Sequence, residues 1–312
     1  MKLKEILNNY GSKKEPFFFM ISYDLKNYEV IPLKDIPKDI QYKINSKELF
    51  SKNNQTITKI PISYENYLTK YNSIQNEIKN GNTYLINLTT PTKVNEKLDL
   101  KNIYDNANSK YKLLYKNQFI CFSPESFCTI DENKIYTYPM KGTIDANIKN
   151  AKELILKDPK ELAEHTMVVD LLRNDLSIVS KKVKVEKFRY CEKIKAGEKE
   201  LFQISSKISG ELENSWQDRV GDIITSLLPA GSITGTPKKK TVQIIAEVEK
   251  YERGYFTGVF GVFDGKSLDS AVMIRFIEEQ NGKYIYKSGG GITCDSDPQK
   301  EYQEMLDKVY IP

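Results

Sequence analysis

Apolar positions recur along this chain with two periods, and the switches between them divide it into elements. After a short amphipathic start, residues 17–23 (Phe-Phe-Phe-Met-Ile-Ser-Tyr) and 28–31 read as two strands. Residues 36–60 are polar and irregular. Ser63 can cap a helix whose stripe is Leu68, Tyr71, Ile74 and Ile78, stopped by Gly81. Residues 83–94 read as a strand, and short β-rich segments follow at 118–123, 126–130 and 134–138. Asp158-Pro159 starts a helix that runs to about Asp175, with Glu161 placed for a capping box. Strand-like runs at 182–188 and 201–208 precede a helix over 216–228 and another ending near Tyr251. Strands over 255–263 and 270–278 lead, through Gln280-Asn-Gly-Lys283, into a hairpin and the alternating run 283–287. Asp297-Pro298 then opens the last helix, with Tyr302, Met305, Leu306 and Val309 as its buried stripe. Strands outnumber helices and are mostly hairpin-connected, which predicts an α+β fold with extensive antiparallel sheet. With no internal repeat and no low-complexity linker, residues 1–312 read as one unit.

Composition narrows the class. Lys plus Arg total 47 against 42 Asp plus Glu, and the signs are interspersed, so no basic arm or stripe marks a nucleic-acid binder. No apolar run is long enough to span a membrane, and the first residues lack a signal-peptide core, which predicts a cytoplasmic protein. Cys121, Cys128, Cys191 and Cys294 form no CxxC pair and agree with a reducing compartment. His165 is the only histidine, which argues against a His-rich zinc site.

Candidate chemistry gathers in a few stretches. Gly289, Gly290 and Gly291 follow a strand directly, and consecutive glycines let backbone N–H groups approach an anion. On the helix after them, Glu301, Glu304 and Lys308 share one flank. Glu161 and Glu164 form a second i,i+3 acid pair just after the other Asp-Pro helix start. Acids in a first turn ordinarily complement the helix dipole; two such pairs beside a glycine run also suit one hard cation such as Mg²⁺. Lys141, in Met-Lys-Gly-Thr, follows a strand in a turn-like sequence: a solvated lysine, or a nucleophile if the pocket is dry. Gly231-Ser-Ile-Thr-Gly-Thr-Pro-Lys238 fails the Walker A spacing and reads as a tight turn before a helix N-terminus. Leu171-Leu-Arg-Asn-Asp175 reads as a helix end with a structural ion pair. Glu125, in Ser-Pro-Glu-Ser, is a weak signal alone.

Taken together, Ser123-Pro-Glu125, Pro139-Met-Lys-Gly-Thr143, Glu161-Leu-Ala-Glu-His165 running into Val169-Asp-Leu-Leu-Arg-Asn-Asp175, Pro229-Ala-Gly-Ser-Ile-Thr-Gly235 and Gly289-Gly-Gly-Ile292 with Glu301 and Glu304 resemble the chorismate-utilising enzymes. That family includes the large subunits of anthranilate and aminodeoxychorismate synthases and the isochorismate and salicylate synthases. The resemblance runs in unbroken order over about residues 64–311. It implies two large stacked, mainly antiparallel sheets with outer helices, chorismate bound with Mg²⁺, a shortened N-terminal part over about 1–60 and a catalytic core over about 61–312.

Lys141 resembles the aminodeoxychorismate synthase branch, which carries Pro-Ile-Lys-Gly-Thr where anthranilate synthases carry alanine. The resemblance implies that the Lys141 amine adds at C2 of chorismate as the C4 hydroxyl leaves, and is expelled as ammonia enters at C4. The product, 4-amino-4-deoxychorismate, leads to p-aminobenzoate and folate. A separate glutamine amidotransferase subunit would supply the ammonia, since one histidine remote from the cysteines builds no glutaminase here. By the same resemblance Glu125 is the general acid, and Glu161, Glu164, Glu301 and Glu304 hold Mg²⁺. Gly289, Gly290, Gly291, Arg275 and Lys308 bind substrate carboxylates, while Thr143 and Ser232 line the ring pocket. Three departures stand out. Gln203 replaces a family histidine, Ile144-Asp-Ala-Asn replaces Pro-Arg, and Leu85 occupies the place of a water-activating lysine or the usual glutamine. The tryptophan-feedback motif is not evident, so no tryptophan inhibition is expected.

Overall fold

Phe17–Ile21 is a strand with every side chain buried, and that double burial reflects its place between two layers. Phe17, Phe19 and Ile21 face a cluster that includes Leu7, Val168, Leu172, Trp216 and Ile224 from outer helices. Phe18 and Met20 face Leu113, Phe119, Cys121 and Phe276 of a second sheet. Each such buried aromatic contributes on the order of 2–3 kcal/mol. The computed structural model describes residues 2–46, 57–196 and 199–311. Residues 47–56, within the segment expected to be irregular, lie outside the described residues.

Among the described residues the first sheet has nine antiparallel strands. From edge to edge it runs Met140–Asp145, Lys199–Glu211, Lys134–Thr137, Ser126–Asp131, Leu268–Val272, Val259–Phe263, Phe17–Ile21 and Tyr28–Pro32, with Lys181–Ala196 also on Lys199–Glu211. The second has eight: Gly235–Thr236, Leu85–Val94, Lys283–Ile292, Phe276–Gln280, Phe119–Ser123, Tyr111–Tyr115 and Ile40–Lys43, with Lys59–Ile60 on Leu85–Val94. Helices Leu3–Ser12, Pro159–Val179 and Val220–Leu227 cover the outer face of the first sheet. Helices Tyr64–Lys79, Lys238–Glu249 and Pro298–Asp307 cover the second. This is the expected α+β architecture of stacked antiparallel sheets with outer helices. No helix among the described residues is long and apolar enough to cross a membrane.

Most caps stand where expected. Ser63 accepts from Asn66 N–H, Asp158 from the N–H groups of Lys160 and Glu161, and Asp297 from Lys300 N–H. The expected strand over 270–278 is in fact two strands. The chain leaves the first sheet at Val272 and enters the second at Phe276, turning at Arg275, whose φ is 52°. Period-two alternation continues through such a crossing, so the pattern alone does not reveal it. Helices Leu100–Asn106 and Ala151–Lys157 and strand Tyr111–Tyr115 were not expected; the helices are seven residues each, too short for a clear period.

Candidate active site

The site lies where the chain passes between the sheets. One passage, Ser123-Pro-Glu-Ser126, carries Glu125; the other carries Arg275. The two run side by side, with Val272 N–H donating to the Glu125 carbonyl at 3.2 Å and Phe122 N–H reaching the Arg275 carbonyl at 3.2 Å. Ser232, from the turn after helix Val220–Leu227, donates its hydroxyl to Glu125 Oε1. Burial raises the Glu125 carboxyl above the ordinary carboxylate range, against the lowering pull of Ser232, Arg275 and Lys308. Protonated carboxyls of this kind donate to leaving groups. Arg275 Nε is enclosed without a hydrogen-bond partner, so an unsatisfied donor stands ready for an anionic group.

Lys141 sits differently from its turn-like sequence. Met140–Asp145 is an edge strand paired with Lys199–Glu211, in which Met140 pairs with Ser205 and Thr143 with Gln203, leaving Lys141 and Gly142 in an irregularity between them. Gly142 has φ 89°, and a Cβ there would stand 2.4 Å from Glu161 Oε2, so glycine is required. The ammonium of Lys141 lies 2.9 Å from Glu164 Oε2, with 26% of its side chain exposed. Burial pulls its pKa down, but Glu164, Glu304 and Glu301 together outweigh it and hold the lysine above its ordinary value. Lys141 is therefore part-buried and paired with an acid, not the solvated turn lysine that its sequence also offered.

The three glycines are also placed differently. Gly289, Gly290 and Gly291 continue strand Lys283–Ile292 opposite Thr89, Leu88 and Asn87, rather than forming a loop. The neighbouring strand Phe276–Gln280 pairs only as far as Lys287, so the glycine stretch has one edge free of strand partners. Lys308 Nζ donates to the Gly289 carbonyl at 2.8 Å across that edge. In an antiparallel ladder a residue's N–H points the same way as its C=O, so the N–H groups of Gly289 and Gly291 share this open edge. A side chain at Gly289 would press on the Leu88 carbonyl, 2.2 Å from its Cβ. At Gly290 the open space is bounded by Glu304 Oε1, Glu301 Oε2 and Lys308 Nζ at 3.5–3.6 Å.

The four acids thus approach from two helices, with Lys141 between them. Glu304 pairs with Lys308 at 2.6 Å; burial raises its carboxyl, but Lys308 and Lys141 outweigh this and hold it low. Burial raises both Glu161 and Glu301, each pushed further up by its neighbouring acid. Among the described residues no three acidic, thiol or imidazole side chains already stand as a finished metal shell. The donors nevertheless fit a hard cation: all are carboxylates, and Glu161 Oε2 is a buried oxygen with no hydrogen-bond partner. A cavity of about 540 Å³ flanks the cluster, lined among others by Thr143, Ile144, Asn150, Ile155, Asp158 and Glu161; Lys141 and Glu125 lie outside its lining.

The structure adds residues that pattern reading missed. Ser296 donates to Glu301 Oε1 at 2.9 Å, and Lys160 approaches Glu164 at 3.6 Å. Asp175 pairs with Lys238 at 2.9 Å, the structural role expected of its motif, and ties down the turn carrying Ser232. His165 is fully buried, its Nε2 2.7 Å from Ser206 Oγ, and burial pushes its pKa down to about 4. Leu85 bounds Gly291, its Cδ1 3.2 Å from a Cβ placed there, so an apolar side chain stands at this wall.

A family model for chorismate binding enzymes matches residues 22–312. A Haemophilus influenzae protein described as an uncharacterized PabA-like protein is 45% identical over 317 residues, covering 99% of this chain and 95% of that one. Aminodeoxychorismate synthase component 1 of Bacillus subtilis is 39% identical over 202 residues, 62% of this chain and 42% of that one. The crystal structure of anthranilate synthase component I from Streptococcus pneumoniae superposes with a TM-score of 0.71 at 27% identity, covering 82% of this chain and 59% of that one.

Proposed function

This chain belongs to the family of chorismate binding enzymes, and within that family we propose that it aminates chorismate at C4, as an aminodeoxychorismate synthase component I. The observation that carries the reading is Lys141: a lysine on an edge strand, 2.9 Å from a carboxylate that can take its proton, among four acids and two further cations. Glu164 accepts the proton from Lys141, and the freed amine attacks C2. Glu125, its carboxyl raised by burial and held by Ser232, delivers a proton to the departing C4 hydroxyl. Ammonia then enters at C4 and the lysine leaves, restoring the free amine. A glutamine amidotransferase partner supplies the ammonia, and the product feeds p-aminobenzoate and folate synthesis. Arg275, Lys308 and the N–H groups along the glycine edge hold the substrate carboxylates; Thr143 and Ser232 border the ring. Glu161, Glu164, Glu301 and Glu304 would hold Mg²⁺, which supplies positive charge opposite a substrate carboxylate.

The test is product analysis after mixing the protein with chorismate, Mg²⁺ and an ammonium salt. Aminodeoxychorismate without pyruvate is expected, with a covalent adduct on Lys141 when ammonia is withheld and no product from Lys141→Ala. Anthranilate with pyruvate, or normal turnover by Lys141→Ala, overturns the proposal in favour of an anthranilate synthase.

A further inference from the structure

The loop that joins the glycine strand to the last helix, residues 293–297, has no part in the proposed chemistry, yet it is tied down from two sides. Within it, Ser296 N–H donates to the Thr293 carbonyl at 3.3 Å, and Ser296 Oγ accepts the Thr293 N–H at 3.1 Å. Helix Tyr64–Lys79 grips the same loop with two side chains one turn apart. The Tyr71 hydroxyl donates to the Ser296 carbonyl. The Gln75 amide donates to the Thr293 carbonyl at 2.8 Å and to the Tyr71 oxygen at 2.9 Å. Ser296 is thus held at its N–H, its carbonyl and its hydroxyl oxygen. A serine hydroxyl has one proton to give, and here it goes to Glu301 Oε1 at 2.9 Å.

Glu301 is only 7% exposed, and its second oxygen faces the glycine edge. A Cβ placed on Gly290 would stand 3.6 Å from Glu301 Oε2, with Glu304 Oε1 and Lys308 Nζ on the same side. The last torsion of a glutamate is broad, so a helix alone does not aim its two oxygens. A bond to Oε1 from a fixed donor does. An acid aimed in advance binds more tightly than one that has to be ordered as its partner arrives.

We propose that Ser296 is a positioning residue for a cation ligand. Its hydroxyl, fixed through Tyr71 and Gln75, holds Glu301 Oε1 so that Oε2 is presented to the metal. The inference rests on the reading in which Glu301 holds Mg²⁺, and it gives Ser296, Tyr71 and Gln75 no contact with metal or substrate.

The test is Mn²⁺ binding, read by electron paramagnetic resonance and competed with Mg²⁺, on the whole protein alone and with chorismate but no ammonia. Ser296→Ala should weaken binding about 10- to 100-fold, the scale for loss of a group that orients a ligand. Ser296→Thr keeps the hydroxyl and should stay within about threefold of wild type. Tyr71→Phe is the milder variant and should weaken binding in the same direction. Added to Ser296→Ala it should cost less than about twofold more, because both act through one bond to Glu301. Binding by Ser296→Ala within about twofold of wild type, or a Thr variant as weak as the Ala variant, overturns the proposal. Full additivity of the Tyr71 and Ser296 losses overturns the linkage through the loop. If wild type takes up no Mn²⁺ under either condition, Glu301 is not a cation ligand and the proposal falls with that reading. The predicted order of affinities in a protein that makes anthranilate overturns the proposed reaction and leaves the role of Ser296 standing.

Discussion

Replacing Glu164 by glutamine should free the Lys141 amine while stopping turnover. In the intact site burial is the largest influence on Lys141 and works against its charge, yet the lysine is held above its ordinary pKa. Glu164 is the largest opposing influence, through charge and hydrogen bond alike; Glu304 and Glu301 supply the rest. At an effective dielectric of about 20, unit charges about 3 Å apart attract by roughly 5–6 kcal/mol. Lys141 and Glu164 expose 26% and 12% of their side chains, so water screens part of this attraction. A loss of about 1.5–3 kcal/mol remains, on the order of 10- to 100-fold in the fraction of free amine at fixed pH. With Glu164 neutral, only Glu304 and Glu301 still oppose burial, and the Lys141 pKa falls. The assay is competitive labelling at pH about 8 with an amine-reactive reagent, Lys141 being compared with the exposed Lys239 in the same digest. Labelling of Lys141 should rise at least about tenfold in Glu164→Gln, whereas chorismate amination is lost. Unchanged or slower labelling would refute the electrostatic reasoning outright.

Ser232→Ala removes a hydrogen bond that lowers the Glu125 carboxyl, so burial drives it further up. Activity that needs protonated Glu125 is lost as pH rises through its pKa, so that limb of the kcat profile should move to higher pH, with kcat near neutrality down about tenfold from lost aim; a limb that stays or moves down contradicts this. Gly142→Ala places a Cβ 2.4 Å from Glu161 Oε2 at φ 89° and should cost about 1–3 kcal/mol in urea unfolding. Glu249→Gln leaves Arg253, 2% exposed at its side chain, without its partner at 2.7 Å. Because Arg253 also holds the carbonyls of Ile233 and Asn87, unfolding stability should drop by about 3–5 kcal/mol; a loss under about 1 kcal/mol would make the pair dispensable.

What the chain determined by itself is local. Helix starts at Ser63, Asp158 and Asp297 were legible because a capping side chain bonds N–H groups two or three residues away, and the Asn281-Gly282 hairpin because both residues adopt positive φ. The i,i+3 acid pairs were legible because helical spacing puts them on one flank whatever lies opposite. The ordered motifs carried the family and, through it, the stacked sheets. Only the tertiary structure decided what faces those flanks. It turned the three glycines into a strand whose free edge meets Lys308, because sheet pairing outweighs glycine's preference for turns once Thr89 and Leu88 lie alongside. It split 270–278 between two sheets at Arg275, since alternation is the same on either side of a crossing. It also set the charge on Lys141. Burial and three carboxylates from two distant helices compete there, and their balance depends on distances that no local pattern encodes.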